Sequence, residues 1–186
     1  MLIQSVLQMD IETLKYPTGK YKRPKTFKPI DIALSIKTIQ EFPKKIIEAT
    51  KDLDKTSLEY LHRPGGWTVR QLVHHCADSH LNAFIRVKLA LTEDKPVVKP
   101  YIENEWVKLE DTAKAPIEWS LQIIEGMHKR WAMLLSKMKG ADFKRTYYHP
   151  EQKRLVAMEE VISIYAWHCL HHLAHIKQAL KHKNKF

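Results

Sequence analysis

The sequence predicts an all-α protein, a four-helix bundle preceded by an irregular N-terminal arm. Only 5 glycines accompany 9 prolines among its 186 residues, which leaves little room for a turn-rich β architecture. Four long stretches carry apolar residues at three- and four-residue spacing, which is the period of an amphipathic helix. We find no convincing strand pattern between them, so helices alone are expected to form the core.

The chain is expected to fold as one domain. Its 186 residues are enough for one substantial core and too few to indicate two. We divide it into an arm packed on the bundle, residues 1–29, and the bundle itself, residues 30–186. The arm contains three prolines and mixes basic with aromatic residues, a composition that is typical of irregular structure.

The first two predicted helices are separated by a turn. Asp31 is expected to cap the first helix, and Pro43 is expected to kink it and restart a second helical segment. The sequence Arg-Pro-Gly-Gly at residues 63–66 predicts the turn. Thr68 then caps a second helix, which runs to about Leu91.

The third and fourth predicted helices follow a long connection. Residues 92–116 are rich in charges and include prolines, and a connection of this length permits a crossover between parallel helices. Pro116 is expected to be the first residue of the third helix, and Gly140 to end it. After a turn-rich stretch at residues 147–150, the fourth pattern runs from about Ala157 to Ala179.

Composition argues against several kinds of partner. The net charge of +10 would suit a polyanion, but the lysines are scattered and no motif that reads nucleic acid is present. The start of the chain lacks a signal-peptide pattern, and no apolar run reaches the roughly 18 residues of a membrane span. Cys76 and Cys169 are too few for a disulfide scaffold. We therefore expect a cytoplasmic protein that binds neither nucleic acid nor membranes.

The histidines are the most informative residues. Two helices each carry a group of them, namely His74, His75 and His80 in the second and His168, His171, His172 and His175 in the fourth. Residues four apart lie on one helix face, so His168 and His172 can bind one ion from a rigid support. A third ligand from the second helix would complete a site with an open coordination position. The competing interpretation is that these histidines are hydrogen-bonded parts of the core.

Two further residues are candidates for catalysis. Asp78 lies three residues after His75 on the same face, where it could orient a ligand or accept a proton. It could equally be a charge on the helix surface. His149 could lean over the mouth of the bundle as an acid, a base or a substrate contact, although loop histidines are usually solvated. Cys76 and Cys169 are rotated by about 100° from their histidine neighbours, so we expect buried thiols rather than ligands.

Several motifs agree in order and spacing with a known family. They are Arg-Pro-Gly-Gly-Trp-Thr-Val-Arg-Gln-Leu-Val-His-His at residues 63–75, Asp-Ser-His at 78–80, Tyr-His-Pro at 148–150 and Trp-His-Cys-Leu-His-His at 167–172. With them the chain resembles the YfiT/BstA family of the DinB superfamily from about Tyr16 to Leu180. The resemblance implies a four-helix bundle of up-down-down-up topology. It also implies one divalent ion per chain, zinc or nickel, bound by His75, His168 and His172.

The resemblance also implies an activity. Members of the family are described as metal-dependent hydrolases, and related ones are thiol S-transferases that join bacillithiol or a similar small thiol to electrophiles. We therefore predict a metal-dependent enzyme whose partners are a low-molecular-weight thiol and an electrophilic substrate. Hydrolysis by an activated water and a non-catalytic role as a metal-binding stress protein stay open as alternatives. A homodimer is implied by the resemblance alone.

Overall fold

The structure is a computed structural model that describes residues 10–186, and this part of the chain contains eight α-helices and one two-stranded hairpin. In chain order the elements are α1 (Ile11–Lys15), α2 (Pro29–Thr50), α3 (Lys55–Leu58), α4 (Val69–Thr92), α5 (Glu103–Trp106), α6 (Glu110–Lys114), α7 (Ile117–Lys137), β1 (Thr146–His149), β2 (Arg154–Ala157) and α8 (Met158–His182). The long helices α2, α4, α7 and α8 form a four-helix bundle, as the sequence predicts. None of the helices described is long and apolar enough to cross a membrane.

Helices α4 and α7 run in the same direction. Near the start of both, His74 Nδ1 lies 2.7 Å from Ser120 Oγ. Further along both, His80 Nδ1 lies 2.8 Å from His128 Nε2. The intervening connection carries the chain back to the end of the bundle where α4 begins, so the predicted crossover between parallel helices is present.

Helix α2 runs opposite to α7. Ile36 and Leu135 line one groove between them, whereas Ile47, later in α2, lines another with Glu125, earlier in α7. Contacts that pair the start of one helix with the end of the other define an antiparallel pair. Since α7 is parallel to α4, α2 runs opposite to both.

Helix α8 runs opposite to α4 and therefore parallel to α2. Tyr165 lies beside Ser79, with 3.4 Å between their hydroxyl oxygens, whereas His172, later in α8, contacts His75, earlier in α4. The four directions are up, down, down and up. Helices α2 and α4 each pack mainly against α7 and α8, so the first two long helices occupy opposite corners of the bundle.

Helix α2 differs from its prediction at its start and its middle. It begins at Pro29 and Asp31 lies in the first turn, so the expectation that Asp31 is the N-cap is wrong; proline and an acidic residue are both favourable there. The helix also continues through Pro43 instead of restarting. A proline removes the hydrogen bond to the carbonyl four residues earlier, here that of Ile39. His128 Nδ1 lies 2.7 Å from this oxygen, so a side chain of α7 replaces the lost bond.

The starts of α4 and α7 are close to their predictions. Thr68 caps α4 as predicted, and its side chain accepts a hydrogen bond from the backbone of Gln71 at 3.2 Å. The side chain of Gln71 accepts one in return from the backbone of Thr68 at 3.0 Å, which completes a capping box. Pro116 precedes α7 as its N-cap instead of being its first residue, a shift of one position.

The hairpin of β1 and β2 contradicts the expectation that the chain contains no strand. The two strands are antiparallel and pair Thr146 with Ala157 and His149 with Arg154. Tyr147 is buried on the inner face of the hairpin. Each strand has only four residues, and so short an alternation of buried and exposed positions does not stand out in a sequence.

The described part of the arm runs antiparallel along α8. Three contacts, taken from the end of α8 towards its start, fix this direction: Leu14 with Gln178, Gly19 with Trp167, and Arg23 with Glu160. The arm also contains the short helix α1, capped by Asp10, where irregular structure was expected. Residues 1–9 of the predicted arm lie outside the described residues. The division of the chain into arm and bundle stays a prediction.

We expect Glu160→Gln to lower the free energy of unfolding by about 1–3 kcal/mol at pH 7. The buried carboxylate of Glu160 accepts hydrogen bonds from Arg23 at 2.8 Å and from Arg154 at 2.7 and 3.0 Å. Both guanidinium groups remain partly exposed, so the effect is smaller than for a fully buried pair. Urea unfolding measures the difference. Glu159→Gln is the matched control, because its lysine partner is exposed.

The effect of Glu160→Gln is expected to depend on pH. Burial acts to raise the pKa of Glu160, but the hydrogen bonds from Arg154 and Arg23 outweigh it and hold the pKa below its ordinary value. The stabilisation is therefore fully present above the unfolded carboxyl pKa of about 4.3 and is lost as the pH falls through the folded value. If the difference in free energy of unfolding between wild type and variant grew on acidification, this account would be contradicted.

Candidate metal centre

The structure brings together the three histidines that the resemblance implies as ligands. His168 Nε2 lies 3.3 Å from His75 Nε2 and 3.1 Å from His172 Nε2. His75 and His172 are buried and His168 is partly buried, with one ring nitrogen of each within 4.8 Å of the others. Two of these side chains come from consecutive turns of α8, and the third comes from the antiparallel helix α4. Their role as ligands stays a prediction.

Two of the distances between the three nitrogens fit a divalent metal ion, and the third pair, His75 and His172, lies within 4.8 Å. Four ligands at the usual zinc–nitrogen distance of about 2.05 Å in a tetrahedron are separated from one another by about 3.3 Å, close to the 3.3 and 3.1 Å in the structure. No fourth histidine, cysteine or carboxylate of residues 10–186 joins the set. The donors therefore fit an ion that keeps a coordination position for a small molecule.

Burial keeps the three imidazoles in the form that binds metal. It lowers the pKa of His75 to about 4, with a further contribution from His171. Burial also holds the pKa values of His168 and His172 well below their ordinary range. Imidazole binds metal only when it is deprotonated, so at neutral pH the lone pairs of all three are free.

A cavity of about 320 Å³ opens onto the cluster. Its walls include the aromatic rings of Tyr16, Trp67 and Trp167, and its charged residues are Lys15, Arg63, and Glu103. The arm supplies part of the wall, since Lys15 and Tyr16 precede the bundle. A larger groove of about 590 Å³ lies between α2, α7 and the start of α8, but its lining is mainly apolar and contains no histidine.

A second group of histidines lies beside the first. His171, His172 and His175 each place one ring nitrogen within 4.8 Å of the others. His175 Nε2 lies 3.1 Å from the Lys15 carbonyl oxygen and must donate to it, so its Nδ1 carries the lone pair. The two groups share His172, and a neutral imidazole has only one lone pair. They therefore compete for this residue.

His74 faces away from the centre, and we expect His74→Ala to retain one metal ion per chain. Its Nδ1 lies 2.7 Å from Ser120 Oγ, and its Nε2 lies 3.2 Å from the Ala115 carbonyl oxygen. Neither ring nitrogen points at the cluster, as its rotation by about 100° from His75 predicts. Elemental analysis after gel filtration tests this. Metal lost from a variant with unchanged circular dichroism would mean that His74 is a ligand.

The two predicted catalytic residues lie outside the wall of this cavity. Asp78 is half-buried, and burial, together with Asp111, raises its pKa to about 6. His149 ends β1, and its Nδ1 accepts a hydrogen bond from the Gln152 backbone at 3.5 Å. Neither Asp78 nor His149 lines the cavity over the cluster. Their catalytic roles stay predictions.

The cysteines are buried and unpaired, as expected. Burial raises the pKa of both Cys76 and Cys169. Neither lines the cavity. A protonated thiol away from the cavity is a poor ligand and a poor nucleophile.

Comparisons with known proteins agree with this architecture. A family model described as the DinB superfamily matches residues 38–176. A protein of Halalkalibacterium halodurans named "putative metal-dependent hydrolase" is 46% identical over 166 residues, which are 89% of this chain and 96% of that protein. A protein of Oceanobacillus iheyensis with the same description is 46% identical over 170 residues, 91% of this chain and 98% of its own length.

A solved structure is also similar. YfiT from Bacillus subtilis, described as a probable metal-dependent hydrolase with an unusual four-helix bundle topology, superposes with a TM-score of 0.88 and 39% identity. The match covers 91% of this chain and 97% of YfiT. Less than a tenth of this chain lies outside the likeness.

Proposed function

The chain belongs to the DinB superfamily, and on this basis we propose that it is a divalent-metal-dependent enzyme that transfers a low-molecular-weight thiol to an electrophile. The ion would be held by His75, His168 and His172. One observation carries the proposal: three imidazole nitrogens converge, with spacing suited to a metal, in the lining of a cavity that admits a small molecule.

The ion would activate the nucleophile. A divalent cation lowers the pKa of a bound thiol or water, so that the anion forms at neutral pH. Zinc and nickel are the metals we propose, because the family resemblance implies them, and three imidazoles with an open position are compatible with both. The protein then needs no cysteine of its own.

The chain's own residues would hold and orient the reactants. The rings of Trp67 and Trp167 provide flat apolar walls, and Lys15 and Arg63 place positive charge at the cavity for an anionic group of the thiol or its target. In the transfer, the S–H bond breaks, a bond from sulfur to the electrophilic carbon forms, and the leaving group departs with its electron pair. The proton is released to solvent.

Hydrolysis is the second candidate, and the names of the relatives favour it. An ester or amide needs a proton for its leaving group as well as a nucleophile. Glu103 is the one carboxylic acid among the described residues that line the cavity. Burial raises its pKa, which Arg86 partly offsets. This makes Glu103 a candidate proton donor for that reaction.

The test is an assay of the metal-loaded protein with both reaction classes. We expect conjugation of a small thiol to a chromogenic electrophile, lost in the chelated protein and in His172→Ala. If the protein conjugates no thiol but hydrolyses an ester or amide, and His172→Ala loses that hydrolysis, then hydrolysis replaces thiol transfer as the proposed reaction. A metal-replete protein with neither activity would leave the non-catalytic metal-binding role.

The doubly substituted variant Cys76→Ala with Cys169→Ala is expected to keep its rate of thiol transfer within about twofold. Both side chains are buried away from the cavity, and a thiol that stays protonated does not attack. The rate is measured per bound metal ion, so that any change in metal content is separated from a change in chemistry. Loss of transfer at full metal content would assign a cysteine to the reaction.

Two expectations about partners remain proposals. We propose that the reactants are a small thiol and an electrophile, and that neither nucleic acid nor a membrane is a partner. The homodimer implied by the family resemblance also stays a prediction, which sedimentation of the metal-loaded protein tests.

A further inference from the structure

Behind His168, three successive hydrogen bonds lead from the metal centre into the core. His168 Nδ1 lies 2.9 Å from His80 Nε2. His80 Nδ1 lies 2.8 Å from His128 Nε2, and His128 Nδ1 lies 2.7 Å from the Ile39 carbonyl oxygen. His80 and His128 are 0% exposed, so water does not compete for these nitrogens. We call the three imidazoles and this carbonyl the imidazole chain.

The carbonyl at its end sets the direction of every bond in the imidazole chain. A carbonyl oxygen only accepts, so His128 Nδ1 must carry the hydrogen. A neutral imidazole has one N–H, so His128 Nε2 accepts and His80 Nδ1 donates to it. By the same reasoning His80 Nε2 accepts from His168 Nδ1. The lone pair of His168 is then on Nε2, the atom that faces His75 and His172.

Pro43 explains why the Ile39 oxygen is available. In a regular helix this oxygen would accept from the backbone N–H four residues later. That residue is Pro43, which has no N–H. Pro43 and Ile39 are both buried, so the oxygen needs a partner within the protein, and His128 provides it.

We propose that His80 and His128 are positioning residues that fix His168 in the tautomer whose Nε2 faces the ion. This rests on the metal site proposed above. In this respect His168 differs from His172, whose buried Nδ1 has no hydrogen-bond partner among the described residues. The imidazole chain is neutral and ends in a backbone carbonyl. It therefore orients its ligand without placing a carboxylate's negative charge near the ion, and gives a proton no route to solvent.

The direction of the imidazole chain is measurable without metal. In metal-free protein carrying ¹⁵N-labelled histidine, two-bond nitrogen–proton correlations identify which ring nitrogen carries the hydrogen. We expect hydrogen on Nδ1 of His168, His80 and His128 at neutral pH. A majority form of His168 with hydrogen on Nε2 would overturn the proposal whatever the protein does with metal.

Variants at position 80 test the effect on metal binding. His80→Leu removes the acceptor for His168 Nδ1 and is expected to weaken zinc binding by about tenfold to a hundredfold. His80→Gln can still accept through its amide oxygen and is expected to recover most of this loss. His74→Leu is the matched control, since it removes another buried histidine of α4 whose hydrogen bonds go to Ser120 and Ala115. Competition with a chromogenic chelator measures the affinities.

The outcomes separate this inference from the proposed function. Equal zinc affinities for His80→Leu and His74→Leu would overturn the inference. A wild-type protein that binds neither zinc nor nickel would defeat the proposed function, whereas the tautomer spectra would still decide the direction of the imidazole chain.

Pro43→Ala gives a second test if His80→Leu does not fold. This variant restores a backbone N–H aimed at the Ile39 oxygen, which would then accept two hydrogen bonds. Because the bond from His128 would weaken, we expect the His128 Nδ1–H proton resonance to move upfield. An unchanged resonance would overturn the role given to Pro43.

Discussion

Replacing both His168 and His172 by alanine is expected to reduce bound metal from one ion per chain to none. These residues supply two of the three converging nitrogens. The remaining single imidazole, that of His75, cannot hold a divalent ion at micromolar concentration. The double variant is measured by elemental analysis after gel filtration. His182→Ala is the control on the same helix, because His182 is near the end of α8 and outside both histidine groups.

The same variant is expected to lose stabilisation by metal. An ion that binds only the folded state adds about 4 kcal/mol to the free energy of unfolding at a thousand times its dissociation constant. Added zinc should therefore raise the melting temperature of wild type and of His182→Ala, and leave that of the double variant unchanged. Stoichiometric metal in the double variant would show that the ion lies outside both histidine groups, since both contain His172.

Phe42→Ala is expected to cost about 3–5 kcal/mol of stability, the range for removing a large aromatic ring from a core. Phe42 is 1% exposed, and its ring centroid lies 5.1 Å from that of His80 and 5.5 Å from that of His128. The cavity left behind would border the imidazole chain. For a protein of this size the melting temperature should fall by about 6–20 °C.

Two further variants make the Phe42 prediction specific. Phe42→Leu keeps most of the apolar volume and is expected to cost less than half as much. Leu34→Ala lies on the same helix, but its side chain is 56% exposed, so its effect should stay within about 0.5 kcal/mol. Thermal unfolding followed by circular dichroism ranks the three. A Phe42→Ala protein as stable as Leu34→Ala would mean that α2 is not packed as described.

The long helices could be predicted because their signals are local. Apolar spacing revealed α2, α4, α7 and α8, and Thr68 fixed the start of α4 through a capping box contained within four residues. The hairpin was not predicted, because each of its strands has only four residues. The continuity of α2 through Pro43 escaped for a different reason, since its replacement hydrogen bond comes from His128 on another helix.

In the candidate site, too, residues with a local sequence signal could be predicted and the others could not. His168 and His172 were identifiable as a pair because four-residue spacing stacks them on one face, whereas the choice of His75 over His74 came from the family resemblance. The sequence placed His80 in the histidine group of the second helix but indicated no partner for it. Its place in the imidazole chain depends on partners 48 and 88 residues away, a distance at which spacing carries no information. The role of Asp78 rested only on its spacing from His75, and that of His149 only on its expected place in a loop at the mouth of the bundle.

The diagonal placement of α2 and α4 bears on how the protein is made. A ribosome delivers these two helices first, yet neither finds its main packing partner in the other. Both helices can pack fully only after α7 and α8 have been synthesised. His75 likewise lacks its contact with His168 until the chain is 93 residues longer. Contacts so distant in sequence slow folding and prolong the exposure of apolar faces. The three histidines can therefore come together only after α8 has been synthesised, and apolar faces of the nascent chain stay exposed until then.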